Sequence, residues 1–231
     1  MSGAPRVWIT RAQPGADRTA ERLRALGLAP VVRPLLAVQP LSPDLPDLAD
    51  FAALAFTSIN GVGAFARLHA GRDLPVFAVG DATAQAARQA GFADVRSASG
   101  DLTDLARLLA DRAPGSVLAP VAETPAGDLA EAVQAAGGAQ LVRAIAVYRT
   151  VETGAALPDA VAAVLIHSPR AARALAACAP FAMPRLAVCI SPAAAAPLQA
   201  LARPCAVSPT PDETALLTTL SAALGKRGPP V

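Results

Sequence analysis

The strongest constraint on this chain is that its pattern is written twice, at an offset of about 110 residues. Val7 and Val117 each open a short apolar run. Asp17 and Asp128 each sit early in an apolar-periodic segment that closes at Gly27 and Gly137. Thr57-Ser58 returns as His167-Ser168, Gly80-Asp81 as Ser191-Pro192, and Asp101 with its leucines as Asp212 with another such run. The offset is nearly half of the 231 residues, so each copy is close to the usual size of a domain. Two like units with a cleft between them suit one large small-molecule ligand held from both sides.

Short β-branched runs alternate with longer helical patterns. Strands are predicted at Val7–Thr10, Ala53–Thr57, Val76–Val79, Val117–Ala119, Val142–Tyr148, Val161–His167 and Leu186–Ile190. Helices are predicted near 16–26, 60–69, 82–90, 102–112, 127–136, 170–177, 193–202 and 212–223. Such alternation, with strands apolar on both faces, indicates a parallel sheet of the doubly wound α/β type. Gly27, Gly91 and Gly137 fall where helices should stop. The proline-bearing stretches Pro34 to Pro46 and Thr150 to Pro158 read as linkers, and the tail from Gly225 to Val231 as disordered. Spacing alone leaves open whether the halves are consecutive domains or exchange their first βαβ units.

Aromatic residues are only 3% of the chain while apolar residues are 53%, much of them alanine, so the cores should pack helices closely. Twenty basic residues against eighteen acidic ones, with no basic stripe, give no nucleic-acid footprint. Lys226 is the only lysine, so nearly all positive charge is guanidinium, suited to carboxylates. Cys178, Cys189 and Cys205 lack metal or redox spacing and read as small hydrophobes in a reducing compartment. No export signal stands at the N-terminus, and Pro192 and Pro197 break the longest uncharged stretch, so a soluble cytoplasmic protein is expected.

In doubly wound folds, ligands bind beyond the carboxyl ends of the strands. Small polar residues stand there before helices: Thr10-Arg11, Thr57-Ser58 with Asn60 and Gly61, Gly80 to Thr83, Ser168-Pro169-Arg170, and Ser191-Pro192. Helix capping explains each of them singly. As a set kept in both copies, they point to an anionic ligand met by rows of backbone amides. Gly61-Val62-Gly63 lacks the rest of a dinucleotide fingerprint, and His69 and His167 stand too far from carboxylate patterns to suggest a metal or a triad. Tyr148, the only tyrosine, falls at the second linker and could donate a proton to a leaving group, or simply bury its ring.

The segments WITRAQPGA and RLRALG near the start, FTSINGV, VGDATAQAARQAGF, VYRT around Tyr148, IHSPRAA and SPTPDETALL, in that order, resemble uroporphyrinogen-III synthases over nearly the whole chain. The resemblance implies two flavodoxin-like α/β domains joined by a two-stranded connection, the chain crossing over and returning. Residues 1–34 with 151–231 would form one domain and 37–147 the other, linked through 35–36 and 148–150. Strands near Leu36–Val38 and Ala146–Tyr148 would form the bridge. It implies cyclisation of hydroxymethylbilane, a linear tetrapyrrole with eight carboxylates, to uroporphyrinogen III, with loss of water and inversion of the last ring. No metal or organic cofactor is implied, and a monomer is. Transient contact with hydroxymethylbilane synthase, which makes the substrate, is the open partner question.

Carried over residue by residue, Tyr148 matches a tyrosine that assists hydroxyl departure and Thr83 a threonine implicated in activity. Ser58 and Ser168 match cleft serines, and Arg11 follows the first strand as in relatives. Thr10, Thr57, Asn60, Gly61, Pro169, Arg170 and Ser191 complete the expected substrate contacts. The chain departs from the family at Ser191-Pro192-Ala193-Ala194-Ala195, where a threonine is missing at Ala194. It departs again at His167, where a threonine is common, and at Val121-Ala122-Glu123. These departures keep two rival readings in view: a non-catalytic two-domain binder of an anionic small molecule, and a pathway partner that has lost activity.

Overall fold

The structure, a computed structural model, describes residues 3–178, 186–202 and 204–225, without the side chain of Cys178. The expected burial of Cys178 and the fate of the tail beyond Gly225 lie outside the described residues. The chain runs through β1 (Arg6–Ile9), α1 (Gly15–Ala25), β2 (Ala29–Val32), β3 (Leu36–Pro40), a 3-10 turn at Leu48–Asp50, β4 (Ala53–Phe56), α2 (Ile59–Leu68), β5 (Val76–Ala78), α3 (Asp81–Gln89), β6 (Val95–Ser97), α4 (Leu102–Arg112) and β7 (Val117–Ala122). It continues through α5 (Leu129–Ala135), β8 (Val142–Glu152), β9 (Ala163–Ile166), α6 (Pro169–Cys178), β10 (Ala187–Cys189), α7 (Pro192–Gln199), β11 (Cys205–Val207) and α8 (Glu213–Gly225).

Two compact units result, residues 1–37 with 151–231 and residues 38–150. The sheet of the first has the order β11-β10-β9-β1-β2, and the other sheet the order β3-β8-β7-β4-β5-β6. Under the sequence offset, β1, β2, β9, β10 and β11 correspond to β7, β8, β4, β5 and β6, and the two orders become the same apart from β3, an extra edge strand of the second sheet. That order, 2-1-3-4-5 in repeat numbering, is the flavodoxin-like one. The first βαβ of each copy therefore completes the sheet of the other copy. This answers the question that spacing left open: the halves exchange their opening βαβ units.

Each sheet is covered on both faces because its central strands are apolar at every position. In the first unit, Val7 and Ile9 pack toward Leu23 of α1 and Leu216 and Leu220 of α8. Trp8, one position out of phase, packs with Leu175 of α6 and Leu198 of α7. In the second, Ala53 and Ala55 face Leu105 and Leu109 of α4 and Val133 of α5, while Leu54 and Phe56 face Phe65 of α2 and Ala87 of α3. The helices stop at glycines in the left-handed region, Gly27 at φ 73°, Gly91 at 98° and Gly137 at 81°, where a side chain would be strained.

Each predicted helix is present to within a few residues. Three strands were not legible. β2, β6 and β11 each lie at a sheet edge and are short; β2 (APVV) carries a proline and β6 (VRS) polar residues, while β11 (CAV) has only three residues, too few to show a pattern. Around the two expected linkers, Leu36–Pro40 is the edge strand β3, and Tyr148 to Thr150 are interior to the eleven-residue strand β8, so strands stand where the resemblance implied them near Leu36–Val38 and Ala146–Tyr148. Among the described residues, no helix is long and apolar enough to cross a membrane.

Candidate functional site

At the carboxyl ends of β4, β7 and β8, within the second unit, lies a cavity of about 410 Å³. Thr57 and Ser58 follow β4, Tyr148 and Thr150 come from β8, and the turn from Thr124 to Gly127 follows β7. Val79, Leu102 and Ala122 supply apolar wall. No lining residue is charged: the polar side chains are the hydroxyls of Thr57, Ser58, Thr124, Tyr148 and Thr150. Gly127 permits this closure, since a Cβ there would meet Leu102 Cδ2 at 2.6 Å.

Tyr148 reaches the cavity because of an irregularity in the sheet. Val121 pairs with Ala146, but Ala122 pairs with Tyr148, so Val147 is an extra residue in β8. A bulge of this kind bends the strand and re-aims the side chain that follows. The tyrosine ring then packs with Ala64 and Val147 and is 7% exposed. Its hydroxyl lies 2.9 Å from Ser58 Oγ.

Ser58 holds the other side of that contact. It is the extended N-cap residue of α2, and its Oγ accepts the Gly61 amide at 3.0 Å. Either hydroxyl can be the donor in this contact, since the serine oxygen has a second lone pair beside the one that meets the Gly61 amide. In the arrangement where Ser58 donates, the tyrosine proton is left for a third group. Gly61 is required for this packing, as a Cβ there would stand 2.8 Å from the Pro120 carbonyl oxygen.

Of the residues singled out from sequence, Thr57, Ser58 and Tyr148 therefore meet around one cavity. Asn60 is half-buried in the first turn of α2, and Gly61 is buried beneath it. Thr83, in the first turn of α3, is 5% exposed and is not in the cavity lining. In the first unit, Thr10 is fully buried and donates its hydroxyl to the Leu165 carbonyl at 2.6 Å. The expectation that Thr10 touches substrate is corrected: it ties β1 to β9. Ser168 and Ser191 cap α6 and α7 by accepting the amides of Ala171 and Ala194 at 3.1 and 3.2 Å. Pro169 opens α6 and has no amide proton, and Arg170 beside it is exposed. The row of open amides is thus corrected at Gly61, Ala171 and Ala194, each of which already donates its hydrogen bond to a serine side chain.

A family model described as uroporphyrinogen-III synthase HemD matches residues 17–218. The chain belongs to the uroporphyrinogen-III synthase family. The fold is similar to that of uroporphyrinogen-III synthetase from Helicobacter pylori, at 19% identity and TM-score 0.67, covering 97% of this chain and 100% of that one. It is also similar to a mutant uroporphyrinogen III synthase from the extremely thermophilic bacterium Thermus thermophilus, at 18% identity and TM-score 0.56, with 97% and 100% covered. At those identities the likeness speaks for the fold, which is mixed α/β with parallel sheets. None of the curated proteins gives a significant match.

Sequence reasoning about this uroporphyrinogen-III synthase family member missed Thr124, Gly127 and Thr150, whose segment reads as an ordinary turn and strand end. It also gave no role to Glu213, although SPTPDETALL was part of the resemblance. Glu213 Oε2 accepts from Arg11 Nη1 at 3.0 Å and lies 3.1 Å from His167 Nε2, while Oε1 accepts the Thr19 hydroxyl at 2.5 Å. Burial alone would raise the Glu213 carboxyl. The hydrogen bonds from His167 and Thr19, with the electrostatic pull of His167 and Arg11, outweigh it and hold the group at about 2. Burial lowers Arg11, a change that Glu213 opposes and nearby Arg18 reinforces. His167, the family departure, thus has a structural partner, and Ala194 is fully buried. Burial raises the thiols of Cys189 and Cys205, which keeps them unreactive. Among the described residues no group of three or more His, Cys, Asp or Glu could hold a metal ion.

Proposed function

We propose that this chain cyclises hydroxymethylbilane to uroporphyrinogen III, with Tyr148 delivering the proton that lets the terminal hydroxyl leave as water. The observation that carries the reading is the contact in the second unit in which Ser58 Oγ accepts the Gly61 amide and lies 2.9 Å from Tyr148 Oη. With Ser58 as the donor to Tyr148, the tyrosine proton is free for the substrate and the phenolate formed on its transfer keeps a hydroxyl donor. A phenol only 7% exposed and fixed at both ring and hydroxyl is a well-oriented acid. Loss of water creates the electrophilic azafulvene. Carbon–carbon bond formation at the substituted position of the last ring then gives a spiro intermediate, whose rearrangement inverts that ring.

A cavity of about 410 Å³ suits the reacting end of the substrate rather than the whole tetrapyrrole. Its uncharged, hydroxyl-rich wall serves a step in which charge develops on carbon and is then lost. The enzyme's further task is positional, since the free substrate closes without inversion. Each tenfold preference for the inverted product requires about 1.4 kcal/mol of differential stabilisation. The protein acts as a monomer in the cytoplasm on a substrate that hydroxymethylbilane synthase supplies and that Thr57 meets in the cavity of the second unit.

The test supplies porphobilinogen and a deaminase, adds this protein, oxidises the products and separates porphyrin isomers by chromatography. Type III product in proportion to added protein is the expected result. Type I alone, at every protein concentration, would overturn the proposal and leave a binder of the polyanion as the reading.

A further inference from the structure

We infer that the groove between α1 and α8 of the first unit is a binding site for a small apolar carboxylic acid, with Arg22 meeting the carboxylate and Leu26 and Leu217 its body. None of these residues has a part in the proposed reaction, and the site stands or falls without it. The groove has a volume of about 390 Å³. At the ~30 Å³ that a water-sized group takes in a liquid, it holds roughly a dozen heavy atoms.

The walls are apolar for reasons that lie in the two helices. Leu23 of α1 and Leu216 and Leu220 of α8 pack into the same core, so the helices lie on one face of the sheet and their outward shoulders frame the groove. Leu26, the C-cap residue of α1, is 51% exposed there beside Ala25, and Leu217 supplies a buried wall. A single exposed leucine is ordinary; a solvent-facing helix without charge is not. After Glu213, α8 carries no charged residue as far as Gly225, although Thr214, Thr218, Ser221 and Ala222 are exposed. Two of its hydroxyls are also turned back on the helix. Thr218 Oγ1 donates to the Thr214 carbonyl and Ser221 Oγ to the Leu217 carbonyl, each at 2.9 Å, so neither proton is open to a ligand.

Charge selects the head group. Arg22 is the single charged residue of the lining, and its guanidinium forms no ion pair among the described residues. The residues three and four positions from it along α1, its neighbours on the helix surface, are Arg18, Thr19, Ala25 and Leu26, none of them acidic. On the other helix the one carboxylate is Glu213, already engaged by Arg11, Thr19 and His167. A guanidinium without an internal partner, set in an apolar groove, is complementary to a carboxylate that carries an apolar body. An ammonium head would be repelled there, and an alcohol would forgo the charge-assisted bonds.

The test titrates decanoate, decanol and decylammonium, each below its micelle concentration, into the full chain by calorimetry. One saturable decanoate site is expected, with decylammonium weaker by about tenfold or more. Arg22→Gln, a change at an exposed side chain, should weaken decanoate by about tenfold and leave decanol unchanged. Leu26→Gln should weaken decanoate and decanol alike, by roughly three- to tenfold. If Arg22→Gln fails to fold by circular dichroism, the three head groups compared on the parent chain decide alone. Absence of saturable decanoate binding, equal affinity for decanoate and decylammonium, or undiminished decanoate affinity in Arg22→Gln would overturn the site. So would a dimer in sedimentation velocity that Leu26→Gln converts to monomer, since a second copy would then fill the groove.

Discussion

Replacing Ser58 by alanine separates two roles that one oxygen performs. The serine caps α2 through the Gly61 amide and holds the Tyr148 hydroxyl at 2.9 Å. Loss of an N-cap costs about 1 kcal/mol, and loss of a largely buried neutral hydrogen bond costs roughly another 1 kcal/mol. Melting temperature falls by about 2–4 °C per kcal/mol in chains of this length, so a drop of roughly 4–8 °C is expected. If the serine also orients the acid, kcat for type III formation falls by about tenfold, the equivalent of ~1.4 kcal/mol in the barrier. Arg72→Ala is the control for destabilisation alone. Arg72 donates to the carbonyls of Ala66, His69, Gly71 and Ala90 and lies 4.9 Å over the Phe92 ring, away from the cavity. That variant should melt earlier and retain kcat. The assay is initial-rate type III formation, at a temperature where all three proteins are folded by circular dichroism. A Ser58→Ala protein that melts early but turns over like the parent would refute the relay and leave Ser58 as a helix cap.

Two further outcomes follow from the same geometry. The Glu213 carboxyl is held near 2 in the folded chain, below its unfolded value, so its contribution to stability is complete above about pH 4.5 and is lost as pH falls toward 2. Urea midpoints measured between pH 7 and pH 3 should fall more steeply for the parent than for Glu213→Gln, and parallel curves would contradict the buried ion network. Gly61→Ala places a Cβ 2.8 Å from the Pro120 carbonyl oxygen, which belongs to backbone and cannot rotate away. A loss of about 1–3 kcal/mol is expected, read from the denaturant midpoint, and a neutral result would mean that α2 can shift away from β7.

What sequence could and could not reveal divides along physical lines. The repeats at Val7 and Val117 and at Asp101 and Asp212 are visible because turn chemistry and apolar runs are local, and they lead to two matching sheets. The exchange of βαβ units is a matter of which chain segment pairs with which, so Trp8 and Val164, neighbours in one sheet, carry no local sign of it. Tyr148 could be singled out as the only tyrosine, but its aim depends on the bulge at Val147, which an alternating pattern hides. The serines at 58, 168 and 191 look alike in sequence and cap alike in structure, yet only Ser58 has a phenol across from it. The Arg11–Glu213 pair joins residues at opposite ends of the chain, beyond any spacing rule.

The account stands most directly on Tyr148→Phe, which removes one oxygen from a ring that stays packed against Ala64 and Val147. Single-turnover consumption of freshly made hydroxymethylbilane, followed by isomer analysis, should slow by about a hundredfold, with the melting curve close to that of the parent. Turnover at the parental rate with type III product intact would contradict it.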